Sequence, residues 1–154
     1  MAKPNPQQVA RAGEHFVAAE LHRRGAYAVT FAGNMPRIDM LASNASQTRV
    51  VQIQVKTSSA GGWQTSTKRG LHREEPSEEE TTFWVFVELR KNVAPPEFYI
   101  VPEWWIQNDI YESHKEYLDK HGGVRPNAPQ STHHKIDGRR IAAWHDKWEL
   151  LDIF

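Results

Sequence analysis

The sequence has no cysteine, no net charge and no long run of apolar residues. The absence of cysteine excludes disulfides, thiolate zinc sites and cysteine nucleophiles, and it suits a reducing compartment such as the cytoplasm. The N-terminal segment lacks the apolar stretch of a secretion signal, and no segment approaches the length of apolar chain that spans a bilayer. A chain with 19 basic and 19 acidic residues gains no general attraction to nucleic acid from its net charge. We therefore expect a cytoplasmic protein without a membrane anchor.

The charges are unevenly distributed along the chain. Residues 1–73 contain ten basic and three acidic side chains, a formal charge of +7, and the other residues contain nine basic and sixteen acidic side chains, a charge of −7. This asymmetry indicates a basic face, which phosphate groups would prefer. A solvated loop that carries the acidic run explains the same counts equally well; the run consists of Glu74, Glu75, Glu78, Glu79 and Glu80.

The length and the order of predicted elements indicate one α/β domain. A chain of 154 residues is the size of one ordinary domain. Asn5-Pro6 is a good helix start, and Gly25 is a good stop, so a helix is predicted from Pro6 to about Arg24. Strands are predicted over 26–31, 37–43, 49–57, 83–89 and 97–101. We expect a core over 6–102, in which helices flank a mixed sheet of four to five strands, and a C-terminal helical extension over 103–154.

The second and third strands form a predicted hairpin with one polar face. If the hairpin is centred on its polar loop, paired residue numbers sum to about 93, so Asp39 faces Gln54 and Arg37 faces Lys56. Directly opposed residues have Cβ atoms ~4.5–5.5 Å apart, so a carboxylate, an amide and an ammonium converge. A solvated hairpin face without function explains the same alternation.

A set of short motifs is similar to those of a known family. The motifs are Gly13-Glu14 on the helix, Arg24-Gly25 at its end, Ile38-Asp39, and Ile53-Gln54-Val55-Lys56-Thr57. This order resembles the PD-(D/E)XK nuclease superfamily, and more narrowly short bacterial proteins of that fold with an Ile-Gln-Val-Lys-Thr strand. The match is good over residues 9–57 and looser through the later strands. The resemblance implies a restriction-endonuclease-like core and metal-dependent hydrolysis of DNA.

The resemblance also implies a role for each site residue. Asp39 would be the principal ligand of Mg²⁺ or Mn²⁺, and the Gln54 side-chain oxygen and the Val55 carbonyl would be further ligands, since these cations prefer oxygen. Lys56 would polarise the attacking water or steady the phosphate. Glu14 would hold a water from the helix, with Glu20 as a rival for that role.

Two departures from the motif affect the expected activity. Pro36 lies three residues before the aspartate rather than next to it, and Gln54 stands where most of the superfamily has a carboxylate. The loss of one negative charge weakens a divalent-metal site. A non-catalytic protein of the same fold, which binds nucleic acid or a protein partner, is therefore the alternative to an endonuclease.

Several residues around the motif are candidates for contact with DNA. An aromatic residue among cations closely follows the Lys56 strand, and such a segment can track a nucleic-acid backbone. A polar loop without function is an equal explanation. The candidates are Arg37, Trp63, Lys68 and Arg69. A homodimer is expected if both DNA strands are cut symmetrically, although no segment indicates an interface.

Overall fold

The structure, a computed structural model, describes residues 2–33, 35–74, 76 and 80–154. The two helices are α1 (Pro6–Arg23) and α2 (Glu103–Lys120). The strands are β1 (Tyr27–Thr30), β2 (Met40–Ser43), β3 (Val50–Ser58), β4 (Trp63–Ser66), β5 (Thr82–Glu88), β6 (Glu97–Pro102) and β7 (His133–Ile136). Short 3-10 helices lie at Thr67–Arg69, Lys91–Val93, Ala142–Trp144 and Trp148–Leu151.

Helix α1 begins and ends at the residues that its sequence signals predict. The Asn5 side chain accepts a hydrogen bond from the Gln8 N–H (2.9 Å), and the Gln8 side chain accepts one from the Asn5 N–H (2.9 Å). Pro6 occupies the first helical position, where its missing N–H costs nothing. Gly25 has a φ of 93°, a backbone conformation that ends the helix at low cost because glycine has no Cβ.

Five strands form a mixed sheet in the order β1-β2-β3-β5-β6, which confirms the predicted fold class. Strands β2 and β3 are antiparallel, and Met40 pairs with Ile53, so the predicted hairpin register is confirmed. Strand β3 runs parallel to β5, and β5 is antiparallel to β6. Strands β4 and β7 form a separate two-stranded antiparallel sheet.

Strand β2 is shorter than predicted. It begins at Met40, so the prediction of a strand that includes Arg37 and Asp39 is wrong. The backbone N–H of Asp39 still donates a hydrogen bond to the Ile53 carbonyl (2.8 Å). Two residues further along β3, however, the Val55 N–H donates to the Asp39 side chain (2.7 Å). A carboxylate thus takes the place of a backbone acceptor, and the chain leaves the sheet at the proposed site.

Each face of the sheet carries its own apolar core. On one face, here called the α1 face, side chains of β3 and β5 such as Ile53 and Val85 pack with Val17 and Leu21 of α1. On the other, the α2 face, Trp84 and Phe86 pack in a cluster that includes Ile106 and Ile110 of α2. Strand β5 is buried on both faces, as its continuous apolar run predicts.

The C-terminal part is not only helical, so the predicted helical extension over 103–154 needs correction. Helix α2 ends at Lys120, and His133–Ile136 forms β7 against β4. Trp148 and Leu151 are buried and close the core on the α1 face. These residues join the core because their apolar side chains complete the surface that α1 leaves uncovered. No helix in the described ranges is both long enough and apolar enough to cross a bilayer.

The segment after β3 contains strand β4 and a 3-10 helix, and Trp63 is not a surface residue. Its side chain is 2% exposed, and its indole N–H donates to the Val87 carbonyl (3.0 Å). The ring packs edge-on against Phe86 and Tyr99, at centroid distances of 5.3 and 5.7 Å. The expectation that Trp63 is an exposed aromatic residue is therefore wrong. Of the acidic run, Glu75, Glu78 and Glu79 lie outside the described residues.

Candidate active site

A glycine on α1 determines how closely the first acidic candidate approaches the sheet. Gly13 is buried, and a Cβ at this position would lie 2.9 Å from the Thr57 Cβ and would overlap its hydroxyl oxygen. Only glycine allows the helix and β3 to approach this closely. Glu14, the next residue, is consequently held beside the end of β2, with its side chain 16% exposed and paired to Arg11 at 2.7 Å.

Glu14 and Asp39 line the same cleft. The cleft has a volume of about 240 Å³, and its other lining residues are Gln7, Ala10, Arg11, Phe31, Gly33 and Met35. Glu20, the alternative acidic residue of α1, is paired instead with Arg23 (3.5 Å) and Arg24. The Arg24 guanidinium lies over the Trp148 ring, so Glu20 belongs to the contacts with the C-terminal segment. The structure thus brings Glu14, and not Glu20, to Asp39.

The Asp39 carboxylate is held by the backbone of β3. Its Oδ2 atom accepts the Val55 N–H at 2.7 Å. In an antiparallel ladder, the N–H and C=O of one residue point to the same neighbouring strand, so the Val55 carbonyl is also directed toward Asp39. The Val55 carbonyl and the Asp39 carboxylate are therefore directed to the same edge of β3, where β2 ends.

Lys56 approaches Asp39 from the α2 face. Its Nζ atom lies 5.7 Å from the centroid of the Trp84 ring. Burial lowers the pKa of the Lys56 ammonium, the Asp39 carboxylate opposes this shift, and Arg69 lowers the pKa further. The direction shows that burial outweighs the carboxylate, so Lys56 releases a proton more readily than a lysine in water.

Gln54 has a partner that the sequence did not predict. Its side chain is buried, 7% exposed, and its Oε1 atom accepts a hydrogen bond from Nη2 of Arg69 at 3.0 Å. The Arg69 guanidinium lies over the Trp84 ring, 4.8 Å from its centroid, and its Nη2 atom lies 3.5 Å from Glu103. The amide oxygen that was expected to bind a metal ion is thus occupied by a cationic donor.

The other predicted DNA contacts lie around this group. Arg37 is exposed, and its charge lowers the pKa of Arg69, although burial is the largest cause of that shift and Glu103 opposes it. Lys68 is exposed on the same 3-10 helix as Arg69. Arg37 and Arg69 therefore lie in the charged group around Lys56, and Lys68 is an exposed neighbour of Arg69 in the chain.

Sequence reasoning missed Trp84 and Glu103. The Trp84 indole N–H donates to Glu103 (3.4 Å). The Trp84 ring packs against the face of the Arg69 guanidinium, and Glu103 contacts its Nη2 atom. Alternation along β5 places Trp84 on the same face as Phe86, but it does not reveal that β5 lies parallel to β3. That pairing, in which Gln54 faces Trp84, brings both residues to the site.

The donor atoms fit one hard divalent cation beside Asp39. Among the described residues, no cluster of three or more His, Cys, Asp or Glu side chains forms a ready-made metal cage. Asp39 and the Val55 carbonyl offer oxygen atoms, and Glu14 lines the same cleft as Asp39. Mg²⁺ keeps several waters when it binds one or two carboxylates, so this sparse set suits it.

Comparisons with known proteins support the fold. No protein-family profile matches the sequence, and no curated protein shows significant similarity to it. The chain is similar to the solved structure of a bacterial homing endonuclease, I-Ssp6803I, with a TM-score of 0.52 and 13% identity over 97% of this chain and 94% of that one. It is also similar to Hjc, a Holliday junction resolvase from the archaeal hyperthermophile Archaeoglobus fulgidus, with a TM-score of 0.50 and 16% identity over 94% and 97%.

Both similar structures are restriction-endonuclease-like nucleases of the PD-(D/E)XK type. At these identities the likeness concerns the fold. The structural resemblance that the motifs predicted is therefore confirmed, and the chain has a restriction-endonuclease-like core.

Proposed function

We propose that this chain, with its restriction-endonuclease-like core, is a divalent-metal-dependent DNA endonuclease. The observation that carries the proposal is the position of Asp39, whose carboxylate is held by the Val55 N–H between the Glu14 cleft and the Lys56 ammonium. A carboxylate, a partly buried lysine and a second carboxylate in the same cleft are the residue types that hydrolysis of a phosphodiester requires. A fold of the same type in a homing endonuclease and a junction resolvase makes DNA the substrate class we propose.

In this proposal each side chain has a separate task. Asp39 and the Val55 carbonyl would hold a Mg²⁺ or Mn²⁺ ion, which would neutralise the charge that develops on phosphate and make a nearby water more acidic. Lys56 contacts the attacking water or a non-bridging phosphate oxygen. Glu14 accepts a hydrogen bond from a water in the cleft and so orients it. The water oxygen forms a bond to phosphorus as the water gives up a proton to solvent, and the ester bond to the sugar oxygen breaks as that oxygen takes up a proton from solvent.

The test is cleavage of supercoiled plasmid and of a four-way DNA junction with Mg²⁺, with Mn²⁺ and with EDTA. We expect cleavage only with the metal ions, and we expect excess Mg²⁺ to restore it after EDTA. The product also reports on the proposed homodimer, since one site nicks the plasmid whereas two symmetric sites linearise it directly. Equal cleavage in EDTA, or no cleavage with any metal, would contradict the proposal.

The two acidic residues of α1 provide a matched test of the cleft. Glu14→Gln should reduce the single-turnover cleavage rate by roughly 10–100-fold, a size typical of residues that orient groups around a metal. Glu20→Gln should leave the rate within about twofold, because Glu20 pairs with Arg23 and Arg24 rather than with the cleft, and such surface pairs contribute ~0–1 kcal/mol. The reverse order of the two effects would show that the wrong helix residue is assigned.

A non-catalytic DNA-binding protein is the second candidate, and the Arg69–Gln54 hydrogen bond favours it. An amide engaged by a guanidinium is a poor metal ligand, so the site has fewer anionic groups than its fold would suggest. This candidate predicts salt-sensitive DNA binding without cleavage in any metal. The plasmid and junction experiment separates the two functions.

A further inference from the structure

Arg69 is the best-anchored cation of the candidate site. It ends the 3-10 helix that follows β4, and its side chain is 20% exposed. The guanidinium is fixed from three directions by the Gln54 oxygen (3.0 Å), the Trp84 ring (4.8 Å to the centroid) and Glu103 (3.5 Å). Such anchoring is typical of a group held in position for a ligand rather than of a flexible surface arginine.

The anchors leave most of the donors of Arg69 unused. A guanidinium has five N–H donors, and in the described part of the chain all hydrogen bonds from Arg69 use Nη2. The Glu103 contact is at the long limit for a hydrogen bond, so Gln54 is the better acceptor. The other N–H groups remain available for an oxyanion such as phosphate, two oxygens of which arginine can bind in a bidentate manner.

The same hydrogen bond argues against a metal ion on Gln54. An ion bound at the usual Mg²⁺–oxygen distance of about 2.1 Å from Oε1 would lie within about 5 Å of Nη2 of Arg69. Lys56 adds a second positive charge on this face, and Arg37 a third nearby. Two like charges at that separation in a partly buried site repel strongly. The cation site is thus confined to the Asp39 side.

We infer that Gln54 is an anchor for Arg69 rather than a metal ligand, and that Arg69 binds a non-bridging oxygen of the scissile phosphate beside a single divalent ion at Asp39. In this arrangement a fixed guanidinium supplies the positive charge that a second metal ion would otherwise supply. The inference rests on the proposed nuclease function, because it assigns a role within the same site.

The first experiment measures DNA binding in EDTA, which needs no metal and no cleavage. Arg69→Met should weaken binding of a four-way junction and reduce the slope of log K against log salt by about 0.9, the value for one lost phosphate contact. Arg69→Lys should restore the slope, since it keeps the charge. In a separate assay with Mg²⁺, Arg69→Lys should restore less than about a tenth of the cleavage rate lost in Arg69→Met, because lysine lacks the planar fork. Arg139→Met, which removes a 92% exposed arginine outside the candidate site, is the control and should leave the salt slope unchanged.

The second experiment counts Mn²⁺ ions by calorimetry. The unmodified protein should bind one ion per chain, and Arg69→Met should not weaken this binding. Gln54→Glu should change the Mn²⁺ affinity by less than about twofold, because the new carboxylate would pair with Arg69, whereas Gln54→Glu combined with Arg69→Met should create tighter or additional Mn²⁺ binding.

These results distinguish the inference from the proposed function. Any one of three results would overturn the proposed role of Arg69. These are two bound Mn²⁺ ions per chain, a large gain in Mn²⁺ affinity from Gln54→Glu alone, and an unchanged salt slope in Arg69→Met. A chain that cuts no DNA with any metal would overturn the nuclease proposal, while the salt slope and the Mn²⁺ count would still report on Arg69. Circular dichroism on each variant confirms folding, and Arg69→Gln replaces Arg69→Met if the latter does not fold.

Discussion

Lys56→Met is expected to reduce the single-turnover rate of DNA cleavage by roughly 10²–10³-fold, the range for loss of one group that stabilises the charge developing in the transition state. Methionine has a similar length and can keep the contact with Trp84, so the packing on the α2 face should be retained. The substitution therefore removes the ammonium group near Asp39 and little else. The rate should be measured on labelled junction DNA at saturating Mg²⁺, beside unmodified protein.

Asp39→Asn is expected to cause a loss of similar size for a different reason. The amide oxygen can still accept the Val55 N–H, so the end of β2 should keep its geometry, but the negative charge that holds a divalent ion is gone. DNA binding in EDTA separates the two variants. Removal of a negative charge near phosphate should maintain or strengthen binding in Asp39→Asn, whereas Lys56→Met should weaken it.

Lys120→Met is the matched control for these two variants. Lys120 is exposed at the end of α2 and pairs with Glu116 at 2.7 Å, away from the cleft. Its cleavage rate should remain within about twofold of the unmodified protein, since single surface pairs have small effects. If Lys56→Met and Asp39→Asn both cut DNA as fast as the control, the site lies elsewhere in the chain.

Trp63→Ala is expected to destabilise the protein by about 3–5 kcal/mol, the range for removing a buried aromatic side chain. The indole fills the contact between Phe86 and Tyr99, and its N–H satisfies the buried Val87 carbonyl. Because whole domains have stabilities of about 5–15 kcal/mol, this variant should show a large fall in the urea midpoint. Trp63→Phe keeps most of the packing and should lose only about 1–3 kcal/mol, the cost of the unpaired carbonyl.

Val124→Ala is the control for the stability measurement. Val124 is 59% exposed, and such substitutions change stability by about ±0.5 kcal/mol or less. A base-stacking role for Trp63 makes the opposite prediction, namely an unchanged urea midpoint in Trp63→Ala together with a fall in DNA affinity of at least about tenfold. That result would restore the surface assignment that the buried position now contradicts.

Local signals predicted the first part of the fold well. The cap at Asn5 and the stop at Gly25 act within one helical turn, so the bounds of α1 could be read from neighbouring residues. Alternation and a short polar loop were enough to determine that Met40 pairs with Ile53, because a hairpin brings together residues close in the chain. The proximity of Asp39 to Lys56 follows from that register.

Contacts between distant segments were not predictable in this way. The residues after β3 contain many polar side chains and read as a loop, yet β4 forms there because β7, about seventy residues later, provides its hydrogen-bond partners. Trp63 was read as exposed for the same reason: its polar neighbours in sequence are not its neighbours in space. Arg69 was read as a surface cation, since nothing in its own segment indicates the Gln54 oxygen.

The sequence by itself determined the chemistry that is available: no thiols, an opening helix with Glu14, and a hairpin that carries Asp39, Gln54 and Lys56 in register. These features depend on interactions over a few residues, which side-chain type and spacing specify directly. The tertiary structure alone decided which of these groups contact side chains from distant segments of the chain. The parallel pairing of β3 with β5 brought Trp84 beneath Lys56, and the position of the 3-10 helix after β4 placed a guanidinium on Gln54, because packing of distant segments depends on the shape of the whole core.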